Sequence, residues 1–185
     1  MSLFRTMVLL LTSLLGGCSA LAPVNWLVPE NGYKTLTDLP YGDLPRQRLD
    51  VYLPTDLKAN APVVVFYYGG SWRNGERADY RFVGQALASR GIITVIPDYR
   101  LYPEVRYPDF LRDSAKALAW TQANRSNWQS PAGPLFVMGH SAGAYNAAML
   151  ALDPRWLAQE QLAPEVLSGW IGLAGPYDFL PIINP

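Results

Sequence analysis

Pro134-Leu135-Phe136-Val137-Met138-Gly139-His140-Ser141-Ala142-Gly143-Ala144 is the stretch that decides the fold. An apolar run of strand length meets Gly-His-Ser-Ala-Gly, and a small-residue helical pattern follows to about Leu152. Strand, sharp turn and helix in that order make a nucleophile elbow. The turn bends too tightly for side chains beside the serine, so Gly139 and Gly143 flank it. The spacing predicts Ser141 at the carboxyl end of a buried strand, its hydroxyl facing a cleft. The helix behind it aims its positive dipole end at the same place.

Upstream, Pro62-Val63-Val64-Val65-Phe66-Tyr67-Tyr68 is a continuous β-branched and aromatic run, the pattern of a strand covered on both faces. It ends in Gly69-Gly70-Ser71-Trp72. Ala78 to Arg90 reads as a helix, with Phe82, Val83, Ala86 and Leu87 on one stripe and Gly91 as its stop. Ile92 to Ile96 is a second buried strand, closed by Pro97-Asp98, so the three pieces form a βαβ unit. Arg48 to Leu53 alternates polar and apolar and reads as a strand near a sheet edge. A helix is predicted from Pro108 to about Ala123, with Leu111, Ala115, Leu118 and Ala119 facing inward. Downstream, Asp153-Pro154 ends the elbow helix, and Trp170 to Ala174 reads as the next parallel strand. The fold class is therefore α/β, with a mainly parallel sheet and flanking helices. Gly69-Gly70-Ser71, Asp98 and Ser141 all fall at carboxyl ends of strands, where such sheets carry their sites.

The chain has 185 residues and zero formal net charge, which fits one domain and gives nucleic acid no basic surface to bind. One cysteine, Cys18, excludes an intrachain disulfide, and one histidine, His140, leaves no His/Cys metal site. Neither a P-loop nor G-x-G-x-x-G occurs, so no nucleotide, metal or other cofactor is expected. Residues 1–17 read as an export signal: Arg5 opens it, and Met7 to Leu15 is apolar but too short to span a bilayer. Leu15-Gly16-Gly17-Cys18 resembles the lipobox of bacterial lipoproteins. That resemblance implies lipidation of Cys18 and a membrane anchor. Ser19 implies the periplasmic face of the outer membrane if enterobacterial sorting rules apply. Residues 18–45 then read as a tether and 46–185 as the folded domain.

A serine hydroxyl is a weak nucleophile until a base takes its proton. The oxygen of an attacked carbonyl needs preorganised N–H donors. In an elbow, one donor is the residue after the serine, here Ala142, and another comes from the loop after an earlier strand. Tyr68-Gly69-Gly70-Ser71-Trp72 occupies that loop. Together with Asp98-Tyr99-Arg100-Leu101-Tyr102-Pro103-Glu104, Tyr107-Pro108 and Gly139 to Gly143, it resembles the α/β-hydrolase carboxylesterases related to hormone-sensitive lipase, feruloyl esterases and kynurenine formamidase. The resemblance runs from about Asp50 to Asp178. It implies hydrolysis of a small-molecule carboxylic ester through an acyl-enzyme on Ser141, with oxyanion N–H groups from Gly70, Ser71 and Ala142. The family usually has His where this chain has Tyr68, a change expected to retune the loop's hydrogen bonds without removing backbone donors. Asp98, with Arg100, is expected in a structural network, and Asp113 as a helix-surface or loop-bracing carboxylate. Asp178, just after the last strand, is the candidate triad acid, and Trp72 and Tyr102 are candidates to line the site.

The triad order in this fold is serine, acid, histidine, yet no histidine follows Ser141. His140 precedes it, and the alternation of a strand predicts a ring facing away from the Ser141 hydroxyl. The family continues with further strands and helices, so the sequence is expected to be the amino-terminal part of a longer esterase, an incomplete α/β-hydrolase fold. Alone, the strand Trp170 to Ala174 would expose an edge. A marginally stable, aggregation-prone product with little turnover is then expected. Two functions remain open. One is a lipid-anchored serine esterase, with formamidase or peptidase chemistry as a variant of the complete protein. The other is an inactive lipoprotein that acts by binding.

Overall fold

The computed structural model describes residues 21–178. The strands are β1 (Tyr33–Pro40), β2 (Arg48–Pro54), β3 (Val63–Tyr67), β4 (Ile93–Pro97), β5 (Leu135–His140) and β6 (Gly169–Leu173). The helices are α1 (Ala22–Trp26), α2 (Arg81–Ala88), α3 (Asp109–Asn124), α4 (Ala142–Leu152) and α5 (Pro154–Ala158). One six-stranded sheet runs in the order β1-β2-β4-β3-β5-β6. β1 and β2 are antiparallel to each other, and β2 is antiparallel to β4. β4, β3, β5 and β6 are mutually parallel, which gives the expected α/β class and mainly parallel sheet.

Every residue of β3 and β4 is buried, as their unbroken apolar runs require of strands covered on both faces. Val63, Val65, Ile93, Val95, Leu135 and Val137 form the middle of the core. α3 brings Leu111, Ala115 and Leu118 to it, and α4 brings Ala147 and Leu150. α4 is nearly all small residues on its sheet side, so the elbow helix lies close against the strands beside it.

Three expectations change in detail. The stretch read as a tether holds α1 and β1, and β1 pairs with β2 from Tyr33↔Pro54 to Pro40↔Arg48. Its side chains are half-buried or exposed, so no apolar run announced a strand. The helix expected from Ala78 begins instead with a 3-10 turn, Arg77–Tyr80, before α2. Asp153-Pro154 ends α4 but starts α5, because the Asp153 carboxylate accepts the Arg155 backbone N–H at 3.1 Å. The expected signal peptide and Cys18 lie outside the described residues. Among the described residues no helix is long and apolar enough to cross a membrane.

Candidate active site

Ser141 joins β5 to α4 with φ 52° and ψ −121°, a conformation that costs an ordinary residue about 1–3 kcal/mol. The surroundings hold it there. A Cβ on Gly143 would stand 2.0 Å from the Tyr67 carbonyl oxygen, so only glycine lets α4 approach β3 so closely. The Ser141 N–H donates to the Leu173 carbonyl at 2.8 Å, which ties the turn to β6. The Ser141 carbonyl accepts the N–H groups of Ala144 and Tyr145 at 2.9 and 3.3 Å and so starts the helix. Ala142 supplies one of the helix's first, unpaired N–H groups. Among the described residues it donates to nothing.

The loop after β3 faces this turn. A Cβ on Gly69 would lie 2.9 Å from the Ser141 Cβ and 3.0 Å from the His140 Nδ1. Gly70 has φ 125°, and Ser71 and Trp72 follow at 54° and 55°. The Gly70 carbonyl accepts from Arg73 and Asn74 at 2.9 and 3.1 Å, which curls the loop back on itself. That leaves the Gly70 and Ser71 N–H groups without a hydrogen bond among the described residues. Trp72 anchors the loop from below. Its indole N–H donates to the buried Asn146 of α4 at 2.9 Å, and its ring stacks on Phe110 of α3. Asn146 in turn donates to Ser114 Oγ at 3.2 Å, so one polar chain links loop, α4 and α3.

His140 closes β5 beside the same loop. Its Nδ1 lies 3.0 Å from where a Cβ on Gly69 would stand. The side chain is exposed and makes no hydrogen bond with Ser141 among the described residues. Asp178 is exposed beyond β6, with no hydrogen bond or ion pair among the described residues. Tyr102 is exposed on the rim, and its backbone N–H donates to the Trp72 carbonyl at 2.8 Å.

Asp98 is structural, as expected, but with different partners. It accepts the Arg77 backbone N–H at 2.7 Å, the Arg77 guanidinium, and the Tyr68 hydroxyl at 2.9 Å. Arg77 also reaches Asp50 at 2.9 Å and Asp38 at 2.8 Å. Burial opposes the charge on Arg77, but the hydrogen bonds to Asp50 and Asp98 outweigh it and hold the group firmly protonated. Arg100 pairs with Asp113, at 2.8 Å, so Asp98 and Arg100 sit in separate structural ion pairs. Asp113 is buried and also takes Gln47 at 2.9 Å, so it braces the loop and does not lie on the helix surface.

Tyr68 ties this network to the loop after β3. Its ring stacks between Tyr80 and Tyr99, with centroids 5.6 and 4.7 Å away, and its hydroxyl accepts Arg46 at 2.8 Å. Burial, reinforced by Asp98, pushes the hydroxyl well above the ordinary tyrosine range, so it remains a donor. Arg46, Arg77 and Gln47 carried no local signal in the sequence. Asn146 did: it is a polar side chain on the buried side of a helix otherwise built of small apolar residues.

A serine on a strained turn, beside three unpaired amides, is the arrangement acyl transfer requires. Comparison with known proteins bears on the family and the fold. The BD-FAE family model matches residues 49–178. The probable isoprenylcysteine alpha-carbonyl methylesterase ICME of Oryza sativa subsp. japonica is 33% identical over 155 residues, which are 82% of this chain and 37% of that protein. Kynurenine formamidase of Danio rerio is 30% identical over 151 residues, 82% of this chain and 49% of that protein. In three dimensions, esterase B of Lactobacillus rhamnosis superposes with a TM-score of 0.67 at 22% identity, over 94% of this chain and 58% of that one. The fold is thus that of the α/β-hydrolase esterases, and the chain spans between about a third and three-fifths of the length of these proteins.

Proposed function

This chain belongs to the BD-FAE family of α/β-hydrolase carboxylesterases, and from that premise we propose that it carries the nucleophile and oxyanion donors of a serine carboxylesterase. Ser141 Oγ attacks the carbonyl carbon of a small-molecule ester. The negative oxygen that results is held by the N–H groups of Gly70, Ser71 and Ala142. Removing one such donor typically costs about 2.7–4 kcal/mol of barrier. The alcohol leaves as the acyl-enzyme forms, and water then releases the acid. In this fold the base is a histidine that comes after the nucleophile, and residues 142–185 contain none. Asp178 is proposed as the acid that orients it.

The observation that carries this reading is the conformation of Ser141, held in a strained turn against the Gly69-Gly70 loop. Strain of that kind persists where the surrounding structure over-determines it, and it clusters at active sites. The test is hydrolysis of 4-nitrophenyl esters by the full-length gene product. Ser141→Ala is expected to lower kcat/KM by about a thousandfold or more. Unchanged turnover would remove Ser141 from the chemistry. The likeness to kynurenine formamidase favours one second reading, cleavage of an N-formyl amide by the same serine. An aryl formamide beside the esters separates the two.

We propose further that the protein is anchored through a lipid on Cys18, on the strength of Leu15-Gly16-Gly17-Cys18. Stable anchoring takes more than one acyl chain, which a lipidated amino-terminal cysteine carries. Metabolic labelling with a fatty acid tests it: label lost in Cys18→Ala supports the anchor, and label absent from the parent protein excludes it.

A further inference from the structure

We propose that Arg73, Tyr102 and Arg106 form a subsite for a carboxylate carried by the ester substrate. The exposed Tyr102 ring has the Arg73 guanidinium 4.9 Å from its centroid and the Arg106 guanidinium 5.6 Å from it. Arg73 lies in the loop after β3, three residues beyond Gly70, and Tyr102 and Arg106 lie in the loop after β4. The Tyr102 N–H bond to the Trp72 carbonyl, at 2.8 Å, fixes one loop to the other. The cluster is therefore tied to the same backbone that presents the Gly70 and Ser71 amides.

On this rim, these two arginines stand out by lacking a counter-ion among the described residues. On the same rim, Arg46 and Arg77 are matched by Asp98, Arg77 also by Asp50 and Asp38, and Arg100 by Asp113. Among the described residues, the side chains of Arg73 and Arg106 have neither a hydrogen bond nor an ion pair. Glu104, between Tyr102 and Arg106 in sequence, is exposed, and its field acts on Arg100. Two cations thus sit against one aromatic ring, which attracts each of them but does nothing for their mutual repulsion. A carboxylate relieves that repulsion and matches the guanidinium fork. A neutral ester offers these groups nothing. The substrate class indicated is a carboxylic ester with a free carboxylate on its acyl or its alcohol portion.

This inference rests on the esterase reading, and the experiment separates the two. The full-length gene product is assayed on two matched pairs: mono-4-nitrophenyl adipate against 4-nitrophenyl hexanoate, and 4-acetoxybenzoate against phenyl acetate. The kcat/KM ratio of charged to neutral ester is expected to favour the charged member about tenfold in at least one pair. That ratio should fall toward one in Arg73→Gln and Arg106→Gln and stay put in Arg90→Gln, which alters an exposed arginine on α2's carboxyl side, away from this rim. A parent without preference in either pair, or a ratio the two variants leave intact, overturns the subsite while the esterase reading stands. If no ester is turned over, that reading fails, and calorimetric titration of the Ser141→Ala protein with 4-acetoxybenzoate and adipate decides the subsite alone. Binding at least tenfold weaker once Arg73→Gln and Arg106→Gln are added supports it. Equal binding, or none, overturns it.

Discussion

The energetics of the site concentrate on a few residues. Ser141 is held at φ 52° and ψ −121°, so replacing it by glycine removes both the hydroxyl and the strain. Ser141→Gly is expected to gain about 1–3 kcal/mol in urea unfolding while losing all activity; a variant no more stable than the parent would mean the turn is relaxed. Gly143→Ala should do the reverse. Its Cβ would stand 2.0 Å from the Tyr67 oxygen, and overpacking of this kind costs about 1–3 kcal/mol or more. Tyr68→Phe strands the Arg46 and Asp98 groups that met its hydroxyl, an expected loss of about 1–3 kcal/mol on the same measurement. At this scale the sequence was legible wherever partners are close along the chain. The elbow serine and its glycines lie within five residues, and the local geometry alone demands them. Arg77 and Asp98 are separated by 21 positions and Trp72 and Asn146 by 74, distances over which no spacing rule operates. For the same reason no spacing rule points Arg100 to Asp113, 13 positions along, to which the folded loop turns it.

Among the elements, burial decided what could be read. β3, β4 and β5 hold the middle of the sheet, and their apolar runs announce them. β1 is an edge strand of half-buried and exposed residues, so its pattern has neither an unbroken run nor a clean alternation. α2 was placed early because the 3-10 turn before it carries helix-compatible residues. The turn is nonetheless separate, tied to Asp98 through the Arg77 backbone. β6 is the element with the most evident liability. Trp170, Ile171 and Leu173 are 37, 43 and 43% exposed, and exposed apolar strands at a sheet edge invite pairing between chains. Ile171→Lys in the 185-residue chain is expected to suppress light scattering on concentration with little change in melting temperature. Scattering that persists would place the sticky surface elsewhere.

For the whole molecule, the buried tyrosines set a pH limit. Tyr41, Tyr67, Tyr68 and Tyr99 all have hydroxyls that burial holds above the ordinary tyrosine range. Above a pH of about 10 the unfolded chain loses these protons and the folded chain keeps them, so stability falls as pH rises. Below that pH both states keep them and their contribution is constant. Each such tyrosine adds up to about 1.4 kcal/mol per pH unit to the decline. Urea unfolding at pH values above about 10 should therefore slope steeply, and Tyr68→Phe should reduce the slope by one such increment. A flat profile would mean these hydroxyls reach water. The proposed function rests on a narrower feature, one serine standing between a helix start and a glycine loop. Its most direct test is treatment of the full-length gene product with a fluorophosphonate, followed by peptide mapping. A single adduct on Ser141, absent in Ser141→Ala, is the predicted result; an unmodified Ser141, or an adduct on another residue, would contradict it.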